Sequence, residues 1–411
     1  MAKKRKGKYG SQKLKKQTPG FLKKIPLPFW IGVGAILLVV LLAVLLWPKT
    51  PPEKPKAAEP VENTLFSGGM VALQKDGKWG YQNQEGEIVI PLIYEDAKPF
   101  STNGMAAVKQ DGKWGYINAK GELVVECLYE QADSFSAGLA PVQISSRWGY
   151  INESGMNVIA AQYEFAGGFA QNGCALVRYD GFYGFIDTQG NYAVQPIYDS
   201  ASGFDASGIA LVSKGGLYGC IDKTGKQVIE PKFTYLGAFA SGLAPAKLTD
   251  GFGYVDMSGD FVIQPQYEYA EAFSPDGIAK VTVSGKYAFI NTAGELMTDT
   301  VFSQAGNFSE GFAVVTVDGQ QGLLKTDGTY GIAPGKWKFP EPVNQGLLVF
   351  RDEKGLYGFL DTAGNVVIGP QFTQAKSFRE DGYAPVQSDG KWGVVDKTGN
   401  WVVAAAYEAV K

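Results

Sequence analysis

Asp111-Gly112-Lys113-Trp114-Gly115-Tyr116-Ile117-Asn118 is the stretch on which the fold turns. Before it, Gly104 to Val108 alternates apolar positions, and after the Asp-Gly dipeptide Trp114 to Asn118 continues the alternation. Such alternation marks half-buried strands. Asp-Gly between two of them predicts a tight hairpin, because its residues tolerate positive φ. Asp76-Gly77-Lys78-Trp79-Gly80 and Asp389-Gly390-Lys391-Trp392-Gly393 repeat the signature.

The aromatic-Gly pair recurs along the chain as Trp79-Gly80, Trp114-Gly115, Trp148-Gly149, Tyr183-Gly184, Tyr218-Gly219, Phe252-Gly253, Tyr357-Gly358 and Trp392-Gly393. Tyr287-Ala288 and Gln321-Gly322 are decayed copies that fill the gap, so successive pairs stand 34 to 36 residues apart. Ten units at that spacing define a repeat protein. Within a unit, Asp or Asn with Gly three residues later (Asn118/Gly121, Asp222/Gly225, Asp396/Gly399) predicts a second, type I turn. A third strand follows, such as Val228-Ile229-Glu230 before Pro231. The unit closes with an aromatic, Ala and Phe at steps of three (Tyr94/Ala97/Phe100, Tyr129/Ala132/Phe135), which predicts a short 3₁₀ turn. The expected fold is therefore all-β: ten three-stranded antiparallel meanders in an open, superhelical, solenoid-like array. Closed propellers typically have 4–8 four-stranded blades, so a ring is the alternative. The offset phase of the ends, Phe66 matching Phe100 and Tyr407-Glu408 matching Tyr94-Glu95, would allow its closure.

These residues resemble the WG-repeat (KWG-repeat) proteins of bacteria over about 65–411. The resemblance implies an all-β repeat module, commonly membrane-tethered or secreted, with no catalytic residues to carry over. The seventh and eighth units depart most, since the Trp is lost and Trp337 falls among Pro334, Pro340 and Pro342.

Ahead of the repeats the chain changes character. Residues 1–26 form a basic tail, with ten Lys or Arg and no acid up to Lys24. Residues 27–47 run apolar without a charge, long enough to span a bilayer, with Trp30 and Trp47 near the ends. The run ends Leu-Leu-Trp-Pro, without a small-x-small cleavage site, which predicts a signal anchor. Positive-inside bias puts the N-terminus in the cytoplasm and the repeats outside the cell membrane. Residues 48–64, with five prolines, read as a semi-rigid linker.

Composition limits the chemistry. The chain has no histidine, which removes Ser-His-Asp and Cys-His catalysis and imidazole-bound zinc. Cys127, Cys174 and Cys220 stand far apart at positions that other units fill with apolar residues, so they read as small hydrophobes. Asp-Thr-x-Gly at Asp187 and Asp361 is the repeated turn rather than a protease motif, and one Asp per turn is too few oxygens for calcium. Removing the ten tail cations from 38 leaves 28 basic against 41 acidic residues, a net of about −13. Such an acidic surface disfavours nucleic acid and anionic wall polymers. No catalytic, cofactor or metal residue is expected, and the aromatic-Gly pairs are assigned a packing role. The Tyr-Glu pairs (Tyr94-Glu95, Tyr129-Glu130, Tyr163-Glu164, Tyr267-Glu268) are expected to be more exposed, the Glu in water. The expected function is a non-enzymatic, membrane-tethered, extracytoplasmic scaffold for a protein or envelope partner. A cell-wall glycan-binding module using exposed aromatics, and a carboxylate-dependent hydrolase in the irregular units, are the alternatives.

Overall fold

The computed structural model describes residues 63–298, 302–335 and 337–411. The basic tail, the apolar segment 27–47 and nearly all of the linker lie outside them. Among the described residues no helix is long and apolar enough to cross a membrane.

Among the described residues the chain forms ten antiparallel sheets, eight of four strands and two of three. Each sheet is a blade of a closed ten-bladed propeller. Blade 2 shows the pattern: Asp96–Ala97, Met105–Gln110, Lys113–Asn118 and Leu123–Tyr129 lie side by side in that order. The hairpin at Asp111-Gly112 has φ of 51° and 74°, so both central residues are left-handed, as a type I′ turn demands. At the next turn the Asn118 carbonyl accepts from the Gly121 amide at 2.9 Å, and Gly121 has φ of 79°.

The predicted 3₁₀ turn is not helical. Tyr94 ends one blade's third strand and, one residue on, Asp96–Ala97 pairs with Lys109 and Val108 of the next blade. This two-residue strand is the fourth strand of the blade, too short to leave a period-2 signature. Ala97 is buried, and Phe100 stacks against Tyr81 of the preceding blade with centroids 4.9 Å apart. The spacing of three thus records a chain crossing between sheets.

That crossing also overturns the expected open array. Each blade is paired by the segment that leaves the blade before it, in blade 9 through the isolated bridge Lys338↔Arg351 alone among the described residues. The last such segment, Ala409–Val410, pairs with Gln74 and Leu73 of blade 1. The Leu65 and Phe66 amides both donate to Asp381 Oδ2 at 2.8 Å, and Leu65, Phe66, Val71 and Leu73 pack with Val394 and Val403. An open array would leave those apolar faces in water. The core accordingly lies between blades: one blade's Tyr81, Ile90 and Tyr94, for instance, pack with the next blade's Ala106, Val108 and Ile117.

Candidate interaction surfaces

The aromatic-Gly pairs sit at the start of each second strand. Trp79, Trp114, Trp148, Tyr183, Tyr218, Phe252, Tyr357 and Trp392 pair across the sheet with Tyr94, Tyr129, Tyr163, Tyr198, Phe233, Tyr267, Phe372 and Tyr407. After each aromatic the register shifts, and the third strand bulges over the glycine. A Cβ on Gly115 would stand 2.5 Å from the Val125 carbonyl oxygen, and one on Gly80 equally close to that of Ile90. Gly149, Gly184, Gly219, Gly358 and Gly393 are as tightly covered by backbone. Glycine is required by this close approach rather than by any contact with a ligand.

The aromatic rings are packed or covered. Trp79 and Trp114 are buried, while Trp148, Tyr183, Tyr218, Tyr357 and Trp392 are half-buried. A cation lies over several of them: Lys411 is 4.0 Å from the Trp79 centroid, Lys98 5.8 Å from Trp114, and Lys376 5.5 Å from Trp392. These are intramolecular cation–π contacts, so the rings do not form an open ladder for an external ligand.

Two residues further on, Tyr81, Tyr116, Tyr150 and Tyr254 are fully enclosed. Each hydroxyl donates to a carbonyl of the next blade: Lys98, Asp133, Gly167 and Glu271, at 2.7–2.8 Å. Burial pushes all four phenols well above the usual tyrosine range, because the phenolate would be stranded without water. Burial likewise raises the Cys220 thiol to about 11 and holds the Cys127 and Cys174 thiols up. Such thiols are weak nucleophiles near neutral pH. Cys174 and Cys220 are buried; Cys127 is half-buried.

The Tyr-Glu pairs differ from the expectation. Tyr94, Tyr129, Tyr163 and Tyr267 are buried. Their glutamates cap the hairpins: Glu95 accepts from the Gly112 amide at 3.0 Å, Glu130 from Ser146 at 2.8 Å and Glu268 from Gly285 at 2.9 Å. Sequence reading missed this role, although its signal was a hairpin turn, Asp111-Gly112, Ser145-Ser146 or Ser284-Gly285, recurring 15 to 17 residues after the glutamate. The turn aspartates also serve backbone. Asp361 accepts from the Asn365 side chain and amide, and Asp222 from the Thr224 hydroxyl and amide, which holds both carboxyls below the ordinary range. Among the described residues no group of carboxylates and thiols is placed to hold a metal.

What faces outward is the third strand. In blade 1 it exposes Ile88, Val89 and Ile93, and in blade 2 Leu123, Val124 and Leu128, the last 69% exposed. Met156 and Val158 continue this face on blade 3, and Val366, Val367 and Trp401 on blades 9 and 10 across the seam. Blade 5 carries Gln227, Glu230 and Lys232 on the same strand.

A family model described as a WG containing repeat matches residues 79–114, 114–147, 148–181, 183–218, 218–251, 252–287, 287–320, 357–392 and 392–411. The chain belongs to the WG-repeat family. No curated protein matches this WG-repeat chain. Among solved structures it is similar to the crystal structure of "the eukaryotic initiation factor", at 10% identity and a TM-score of 0.49, covering 83% of this chain and 96% of that one. It is also similar to BamB from Moraxella catarrhalis (13% identity, 67% and 97% covered, TM-score 0.34). For Kluyveromyces lactis Hsv2 the values are 8%, 56%, 92% and 0.33. None of these likenesses bears on what the WG-repeat ring binds.

Proposed function

We propose that this WG-repeat propeller is a non-enzymatic interaction scaffold, held outside a bacterial cell membrane by segment 27–47 and engaging a protein of the envelope. The observation that carries the reading is the apolar third-strand face of blades 9, 10, 1, 2 and 3. The third strands of blades 1 and 2 each expose three large apolar side chains and that of blade 9 two, against one on blades 4 and 6, and clusters of exposed apolar side chains mark interaction sites. The strands that present them are anchored by the interblade core, so the face is rigid and pays little ordering entropy on binding.

A photo-crosslinker at position 128 of the full-length chain in native membranes tests this. One discrete protein adduct is expected, lost when Ile93→Glu is added, and absent when the crosslinker is moved to position 232 on blade 5. Equal labelling from both positions would count against the reading. A reporter fused after Lys411 should be active only outside the cytoplasm, and cytoplasmic activity would overturn the topology.

A further inference from the structure

A cavity of about 400 Å³ opens where blades 6, 7 and 8 meet, lined by Tyr235, Tyr269, Glu271, Ser274, Pro275 and Asn307 among others. Three features set it apart from the corresponding places on other blades.

The first is aromatic. Tyr235 and Tyr269 open the short strands of blades 6 and 7 and flank Phe252, with ring centroids 5.2 Å from it on either side. Blades 2, 3, 5, 8 and 10 have Asp96, Gln131, Ser200, Gln304 and Gln374 at that position; blade 4 has Phe165, but among the described residues only blades 6 and 7 are neighbours that both carry an aromatic there. Tyr269 is 43% exposed, so this ring has a face free for a partner.

The second is a hydroxyl without a partner. In other blades the serine after the crossing Phe ties one blade to the next. Ser101 accepts from the Phe135 amide at 3.1 Å, Ser136 from Phe169 at 2.8 Å, and Ser309 donates to the Val343 carbonyl at 2.9 Å. Ser274 is 7% exposed, and its Oγ has no hydrogen-bond partner. Across the cavity from that position lie Asn307 and Phe308.

The third is electrostatic. Glu271 is matched by Lys280, Nζ to Oε1 3.0 Å, and the lysine side chain is only 12% exposed and also donates to the Ala305 carbonyl. The wall is therefore polar but has no unmatched charge at this pair. An anion would meet the Glu271 carboxylate, and a cation would have to displace Lys280.

We propose that this cavity binds one ring of a neutral saccharide. Its apolar C–H face would lie on Tyr269, and its hydroxyls would exchange hydrogen bonds with Glu271 and Asn307. A cavity with aromatic walls and a few convergent polar groups suits such a ligand. The proposal does not rest on the apolar face of blades 9 to 3, which lies on other blades, so either can fail alone.

The test is calorimetric titration of the full-length chain, in a detergent without sugar headgroups, with three probes: chitotriose, cellotriose and maltotriose. At least one should bind with a dissociation constant below about 1 mM. Tyr269→Ala should weaken it about tenfold or more, while Tyr269→Phe, which keeps the ring, stays within about threefold. Ser274→Ala should weaken it less than Tyr269→Ala. Absence of binding for all three at about 10 mM, or binding that survives Tyr269→Ala, overturns the proposal. Displacement of the bound sugar by tetramethylammonium at similar concentration would overturn it in favour of a cation site.

Discussion

Blade 2 has glycine and blade 7 alanine at the same buried position of the second strand. In blade 2 the third strand, Leu123–Tyr129, bulges over Gly115 between the pairs Trp114↔Tyr129 and Tyr116↔Val125. In blade 7 Ala288 takes the glycine's place and is buried, and among the described residues the bridges Tyr287↔Phe302 and Ile290↔Leu296 stand where blade 2 has Trp114↔Tyr129 and Ile117↔Leu123. Blade 8 keeps Gly322 but loses the aromatic. Gln321 instead accepts from the Phe339 amide at 2.7 Å, beside a polar hollow of about 460 Å³ that includes Lys338 and Thr316. Blades 7 and 8 share a device with the ring seam. Asp276 accepts from the Gly311 amide at 3.2 Å, and Glu310 from Gln345 and Gly346 at 2.8 Å each, as Asp381 does at the ring seam.

The largest expected effect comes from removing the aromatic in a regular blade. Trp114→Ala should cost about 3–5 kcal/mol, as large-to-small changes at buried aromatics do. In an open array that loss would stay local. In this ring every blade is closed by its neighbour, so amide exchange should rise as far away as 340–411. Protection that persists there would show that the seam at Leu73 and Val410 carries little of the stability. Next comes Gly115→Ala, which forces a methyl onto the Val125 carbonyl and should cost about 1–3 kcal/mol, as overpacking does.

The buried tyrosines give a smaller and pH-dependent effect. Tyr116→Phe leaves the Asp133 carbonyl unmatched and should cost about 1–2 kcal/mol. Phe185 already occupies this register in blade 4, so the ring itself fits. Because folding raises the phenol pKa, the folded chain keeps protons that the unfolded chain releases above about pH 10. The stability from these groups is complete below that pH and is lost as pH rises further. Denaturant titrations should show a steep alkaline loss, shallower in Tyr116→Phe and shallower again with Tyr81→Phe.

Much of this was legible in the chain. The hairpins announced themselves through Asp-Gly, and eight aromatic-Gly pairs with two decayed copies gave the blade count. The fourth strand was not legible, because Asp96–Ala97 is too short to show alternation and its pairing partner belongs to the next unit. Closure was hidden for the same reason: Ala409–Val410 says nothing until Leu73 is beside it. The cavity was still less accessible. Tyr235 and Tyr269 stand 34 residues apart, and only the crossing of the chain between blades brings both to Phe252.

The smallest effect concerns the cations over the aromatic rings. Lys98 lies 5.8 Å from the Trp114 centroid and 2.7 Å from Asp133 Oδ1, with side-chain exposures of 32% and 55% for the ion pair. Water screens a pair this open, and such contacts are typically worth about 0.2–1 kcal/mol, with a similar amount for an exposed cation–π contact. Lys98→Met keeps the aliphatic stem over the indole while removing the charge, so it isolates the electrostatic part. The urea midpoint should fall by the equivalent of no more than about 1 kcal/mol, and added salt should shrink the difference further. The corresponding change at Lys411 should cost more, since that lysine sits 4.0 Å from Trp79 and also bridges to Asp96 at 2.6 Å across the ring seam. Equal losses at the two positions would mean that the seam is held by the strand pair and the Asp381 contacts, with Lys411 serving only as cover for the ring.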